Sequence, residues 1–321
     1  MPVLPGVRTL ALSVLFLTAC GAAVGGTSSR PVAVDPGRLS DRVFGDLAFR
    51  GAVAISSDEQ VGGLSAIEVM DGGARFVAVS DAGRVVTGRM RYDATGGLSD
   101  VEDFEIRPLL GRDGKRFTGP ASDTEGLARL PDGRWAVSAE RVQHIVLYPA
   151  GPAPAGPAER ILYPTGLGNL SPNGGLEAVT ALPDGRLVVI AEGRDNGQPE
   201  RSAAIGGPNG WVRWTYRAAP DFRPTAAATL PNGDILVLER KFSFFSGLLG
   251  RITRVAARDI GSGAVVEGRE IGRLDWPLPM ANFEGISIAR RPDGRLFLYL
   301  VSDDNFSAVL PTLIICFELA E

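Results

Sequence analysis

The amino-acid sequence predicts an all-β fold, a β-propeller of five blades, with six still open on counting alone. Three observations predict it. One hairpin plan recurs five times along the 321 residues, the copies are spaced at the size of a four-stranded blade, and no helical period stands out beyond the first twenty residues. The balance of 45% hydrophobic to 22% charged residues suits a large core rather than disorder.

Residues 1–19 read as an export signal. Arg8 is the only charge near the start, and the apolar run Thr9 to Ala19 is about half as long as a bilayer-spanning helix needs. The run ends in Leu17-Thr18-Ala19-Cys20, which looks like the lipobox of bacterial lipoproteins. That likeness implies that Cys20 is lipidated and becomes the new N-terminus, anchoring the protein to a membrane without spanning it. Gly21 is not the aspartate that typically signals inner-membrane retention, which favours the outer membrane in a Gram-negative cell. Residues 20–41, rich in Gly, Ala, Ser and Pro, are expected to be a flexible tether, and residues 42–321 the propeller domain. With Cys20 lipidated, the second cysteine, Cys316, has no partner and reads as a buried, inert thiol in the apolar run 313–317.

The five hairpins are Leu64 to Asp81, Asp123 to Arg141, Gly175 to Gly193, Arg223 to Arg240 and Asn282 to Asn305. Each has an apolar stretch, a Pro-Asp-Gly-like turn, a second apolar stretch and an acidic residue at its end. Pro presets φ at the first turn position, Asp or Asn tolerates the next, and Gly supplies positive φ. The turn glycines, Gly73, Gly133, Gly185, Gly233 and Gly294, lie 48 to 61 residues apart. Nearly continuous apolar runs such as 186–191 fit strands buried on both faces. A further strand pair, 144–148 and 160–163, is joined by a Pro/Gly/Ala loop at 149–158. The last unit offers only three strands, so an early strand, roughly 42–55, is expected to pair into it and close the ring.

Residues equally far from a hairpin turn are cross-strand neighbours. Glu125 lies eight before Gly133 and Glu140 seven after it; Glu177 and Glu192 repeat those offsets around Gly185. Glu284 and Asp303 form a longer version. The first hairpin offers Ser65 opposite Ser80 and Asp81, and the fourth offers Thr225 opposite Glu239 and Arg240. If these hairpins are innermost in their blades, their open ends converge on one rim of the channel. That rim would hold Asp81, Glu125, Glu140, Glu177, Glu192, Glu239, Glu284 and Asp303, with Asp304 and Asn305 beside it. So many carboxylates require raised pKa values or neutralising cations. An all-oxygen, histidine-free set suits Ca²⁺ or Mg²⁺. Asp81, Glu140, Glu192, Glu239, Glu284 and Asp303 are the expected ligands.

At these residues the chain resembles the phytase-like family, described as esterase-like activity of phytase. The resemblance rests on the runs 123–127, 192–193, 282–286 and 301–307, on 62–65 with 79–81, and on 240–243. It spans roughly residues 45–320. It implies a propeller whose recurrent Glu and Asp carry a phosphodiesterase-like or esterase-like activity.

Several chemistries are excluded. His144 is the only histidine, expected in the third strand of its blade and away from the channel, which removes histidine-acid phosphatase chemistry and His-rich metal sites. There is no Gly-x-Ser-x-Gly elbow, P-loop or dinucleotide fingerprint. A net charge of −4 with scattered basic residues gives no surface for nucleic acid. What remains is metal-assisted hydrolysis of a small phosphoester or ester by a monomer. In that scheme Glu125 or Glu177 is the general base, and Arg141 or Arg240 holds substrate oxygens. The alternatives are a non-catalytic ligand- or protein-binding propeller and a calcium-dependent lactonase-type hydrolase.

Overall fold

The tight turns set the register of every blade. At residues 130–134 Gly133 N–H donates to the Leu130 carbonyl (2.9 Å) and Leu130 N–H to that of Arg134 (2.8 Å); the pattern recurs at 182–186, 230–234 and 291–295. The glycine closing each of these turns has a φ of 84–90°, which a side chain tolerates poorly. Asp71-Gly72-Gly73 does the same work in the first hairpin as a short 3₁₀ turn.

The computed structural model describes residues 27–32, 43–56, 61–168, 170–171, 174–193, 198–243, 247–275, 277–305 and 310–320. The signal segment and Cys20 therefore lie outside the described residues. Five antiparallel blades surround one axis, as the sequence predicts, with no sixth among the described residues. From the inside out, the first is Leu64–Met70, Arg75–Ser80, Arg84–Tyr92 and Leu98–Pro108. The second is Thr124–Arg129, Trp135–Ala139, His144–Tyr148 and Arg160–Leu162, so the expected 144–148 and 160–163 pair is present. The third runs Leu176–Ala181, Leu187–Ala191, Glu200–Gly207 and Gly210–Arg217, and gains a fifth strand, Val265–Glu267, added in parallel. The fourth is Arg223–Thr229, Ile235–Ser243, Gly247–Val255 and Arg269–Leu274.

The fifth blade takes Asn282–Arg290, Leu296–Asp303 and Thr312–Leu319 from the C-terminal end of the chain, and Leu47–Ser56 from near its start. This is the expected closure by an early strand. It removes a sheet edge that would otherwise stand open. One difference follows. Ser28–Pro31, inside the segment expected to be a flexible tether, is a strand paired with Leu47–Ser56. Ser29 Oγ also donates to the Val101 carbonyl of the first blade (2.8 Å), so this strand is held by both the last and the first blade.

The core lies between neighbouring blades, because strands buried on both faces feed two interfaces at once. Phe76, Tyr299 and Ile314 fill the space between the last and first blades, and Trp135, Tyr148 and Val79 that between the first and second. Across the closure the Arg291 guanidinium sits 3.9 Å from the Tyr92 ring and 3.6 Å from the Phe297 ring, and donates to Tyr299 Oη. Cys316 is fully buried beside it, its thiol pushed up to about 12 by burial, which matches the inert role expected. No helix among the described residues is long and apolar enough to cross a membrane.

Candidate functional site

Every inner strand carries a β-bulge near its start, one residue in for the first three blades and two for the fourth and fifth. The register slips between Leu64 and Ala66, Thr124 and Leu127, Leu176 and Ala178, Pro224 and Ala226, and Phe283 and Gly285. The inserted residues are Ser65, Glu125, Glu177, Thr225 and Glu284. A bulged residue leaves the ladder and is re-aimed. Across from each bulge the second strand presents Asp81, Glu140, Glu192, Arg240 and Asp303; the first three follow the last paired residue of their strand, while Arg240 and Asp303 still pair with Arg223 and Asn282. Their backbones are held alike in the first three blades. Asp81, Glu140 and Glu192 N–H groups donate to the carbonyls of Gly63, Asp123 and Gly175, each at 3.0 Å.

The bulge glycines let the blades approach closely. A Cβ on Gly126 would lie 2.6 Å from Ser138 Oγ and 2.8 Å from the Glu177 carbonyl of the next blade. One on Gly285 would meet Ala66 Cα at 2.9 Å. Only glycine fits there, so each Glu-Gly pair supplies an acid and the room for it.

These positions gather one acidic cluster. Carboxyl oxygens of Asp123, Glu125 and Glu140 lie within 4.8 Å of one another, as do those of Glu140, Glu177 and Glu192, with Glu140 common to both groups. Glu140, Glu177, Glu192, Glu284 and Asp303 are all buried. Burial first, then repulsion from Glu284, Asp123, Glu140 and Asp81, holds the Glu125 carboxyl well above the usual carboxylate range. Glu177 is raised in the same way by burial and by Glu125, Glu284, Glu192 and Glu140. Burial and neighbouring Asp303 push Asp81 up to about 7, burial takes Glu284 to about 7 against the pull of Arg240, and Asp303 reaches about 6. Carboxyls in this state exchange protons near neutral pH.

Arg240 is the counterweight. Its guanidinium lies 2.8 Å from Glu284 and 3.4 Å from Glu192, and donates to Asn282 Oδ1, while Asn282 Nδ2 donates to Glu284 (2.8 Å). Arg223 adds a second cation 3.5 Å from Glu192. Arg141 stands at the rim, half exposed, with its Nε 2.6 Å from Asp123.

Of the expected ligands, Glu239 is a correction. It has no exposure and turns away from the cluster, accepting from Tyr216 Oη of the third blade and pairing with Arg251 of its own blade at 3.1 Å. Along a strand successive side chains alternate faces, so the acid one residue before Arg240 cannot share its direction. Asp123 joins the cluster without having been expected as a ligand. So does Asp304, buried beside Asp81, where it accepts from Gly63 N–H and Thr312 Oγ1. Both stand next to predicted residues in the runs that carry the family likeness. Asn282 and Arg223 open their inner strands, a position the turn-offset count does not reach. His144 sits in the third strand of its blade, edge-on to Tyr163, as expected.

The phytase-like family, described as esterase-like activity of phytase, matches residues 59–306. The chain belongs to that family. No curated protein matches this phytase-like chain. Solved structures similar to it include a luciferin-regenerating enzyme, 12% identical with a TM-score of 0.42 over 92% of this chain and 98% of that one. Others are a virginiamycin B lyase from Staphylococcus aureus (12% identity, TM-score 0.40, 79% and 85% covered) and a streptogramin B lyase (10%, 0.41, 80% and 94%).

The phytase-like cluster fits a hard cation. Its donors are all oxygen, and two buried carboxyl oxygens in it, Asp81 Oδ1 and Glu284 Oε2, have no hydrogen-bond partner. Asp123, Glu125, Glu140, Glu177 and Glu192 are the residues that could hold a metal ion.

Proposed function

We propose that this phytase-like protein hydrolyses a small phosphoester or ester at the acidic mouth with the help of a divalent cation, Ca²⁺ before Mg²⁺. The observation that carries the reading is the convergence of carboxyls from four blades on one axis, two of their oxygens unpartnered, with arginines at the margin. A fold alone argues for no chemistry, but a cluster of perturbed carboxyls does. Calcium is preferred because its larger, irregular coordination shell tolerates donors brought from separate blades. When bound, the cation would supply Lewis-acid polarisation of the substrate oxygen and activation of water.

The chain's own residues divide the remaining work. Glu125 and Glu177, whose proton affinities are raised by burial and by neighbouring carboxylates, act as general base and acid. Arg240, held in place by Glu284 and Asn282, and Arg141 at the rim bind substrate oxygens and oppose the charge that develops on them. The protein is further proposed to be exported and anchored through Cys20. The test is turnover of a chromogenic phosphoester and a short chromogenic ester, with calcium, with magnesium and after chelation. Activity that survives chelation, or survives Glu125→Gln combined with Glu177→Gln, sinks the proposal.

A further inference from the structure

The end of the propeller that carries the acidic mouth differs in surface character from the opposite end. The opposite end is built from hairpin turns sealed by ion pairs, Asp132 with Arg134 and Asp184 with Arg186 at 2.7 Å and Asp293 with Arg295 at 2.6 Å. The mouth end carries the largest exposed apolar side chains among the described residues. Phe242 is 72% exposed, Tyr163 62% and Met280 57%.

Register places all three at the mouth. Phe242 follows Arg240 by two residues on a strand that runs past the acidic cluster, and pairs with Leu248. Met280 precedes Asn282, and a Cβ on Gly247 of that same extended hairpin would come 2.5 Å from its sulfur. Tyr163 follows Leu162, the partner of Ile145, at the end of the second blade where Glu140 leaves its strand.

The start of the described chain emerges at the same end. Asp303 leaves its strand at the mouth, Thr312 begins the next strand there, Thr312 pairs with Ile55, and Ile55 with Ser29. Ser28 therefore sits on the mouth face. Between it and Cys20 lie eight residue steps, which reach at most about 28 Å when fully extended. A lipid on Cys20 would therefore attach the protein to the membrane by its mouth end, within that reach.

We infer that the mouth face of this protein docks on a lipid bilayer, with Phe242, Met280 and Tyr163 entering the interfacial region beside the lipidated N-terminus. Aromatic and thioether side chains with polar surroundings suit that interface. The inference rests on the lipidation of Cys20 and not on the hydrolase proposal.

The test uses the full chain, made with its export signal in a host that acylates lipoproteins and reconstituted into phosphatidylcholine vesicles. A fluorophore is attached at Phe242→Cys or, in a separate protein, at Asp184→Cys on the opposite end; Cys316 is buried and does not compete. The expected result is that a nitroxide carried on the lipid headgroups quenches the 242 probe several-fold more than the 184 probe. Equal quenching, or stronger quenching at 184, overturns the orientation. A mature chain whose mass shows an unmodified Cys20 overturns it too. Turnover of a soluble chromogenic ester by the same protein in detergent, away from vesicles, reports separately on the hydrolase proposal.

Discussion

Arg240 decides the electrostatics of the mouth. Glu140 and Glu192 each lie seven residues beyond their turn glycines, and the seventh residue beyond Gly233 is Arg240, with Glu239 one short. The offsets therefore already separate the two residues, and treating every terminal acid alike obscures it. Replacing Arg240 with Met leaves Glu192 and Glu284 less compensated. We expect a loss of about 1–3 kcal/mol of stability in cation-free buffer, and a larger rise in Tm on adding calcium than the parent protein shows. An unchanged calcium response would refute the role given to this arginine. Glu177→Gln acts in the opposite sense, because it removes a group whose ionised form burial and the neighbouring carboxylates disfavour. Cation-free protein at pH 8 should gain about 0.5–2 kcal/mol while turnover falls, and chemical denaturation of the two proteins side by side decides it.

The repeated bulge turns a row of hairpins into a site. An ordinary antiparallel start would leave Glu125 in the ladder, on one face of its sheet; the extra residue takes it out of register and toward the axis. The Glu-Gly pairs hint at this in the sequence, since glycine inside a strand often marks a bulge or a close backbone approach. Yet Leu64-Ser65-Ala66, Leu176-Glu177-Ala178 and Pro224-Thr225-Ala226 bulge without one. Their insertion depends on strand ends meeting a neighbouring blade, which no local pattern encodes. Gly126→Ala should cost about 1–3 kcal/mol through overpacking against Ser138 and the Glu177 carbonyl. At roughly 2–4 °C per kcal/mol for a domain of this size, the melting temperature reads it directly. An unaffected Tm would mean that the blades can separate to make room.

Closure makes the molecule respond as one unit. Because Leu47–Ser56 completes the fifth blade, a chain lacking residues 1–56 should lose its single cooperative unfolding transition, seen by calorimetry. A sharp transition retained by that truncated chain would argue against the strand's importance. The acidic mouth sets a pH dependence for the whole. Asp81 and Glu284 are raised from ordinary values of 3.8 and 4.5 to about 7, and Asp303 to about 6. Between those limits the folded state binds more protons than the unfolded, so stability falls as pH rises. The contribution is fully present below about pH 4 and lost as pH passes through 6 to 7. Cation-free protein should therefore melt at lower temperature at pH 8 than at pH 5, with added calcium restoring more at pH 8. A flat or rising cation-free profile would contradict the clustering.

The sequence by itself determined the hairpins, their spacing, the turn glycines, the need for a closing strand and the family, because each is written in local pattern or in its repetition. It also singled out most of the acids that meet. Tertiary structure alone decided that Asp123 joins the cluster and that Ser28–Pro31 is a strand rather than tether. Those outcomes depend on how far each ladder runs before a neighbouring blade interrupts it, and that limit is a contact between segments fifty or more residues apart.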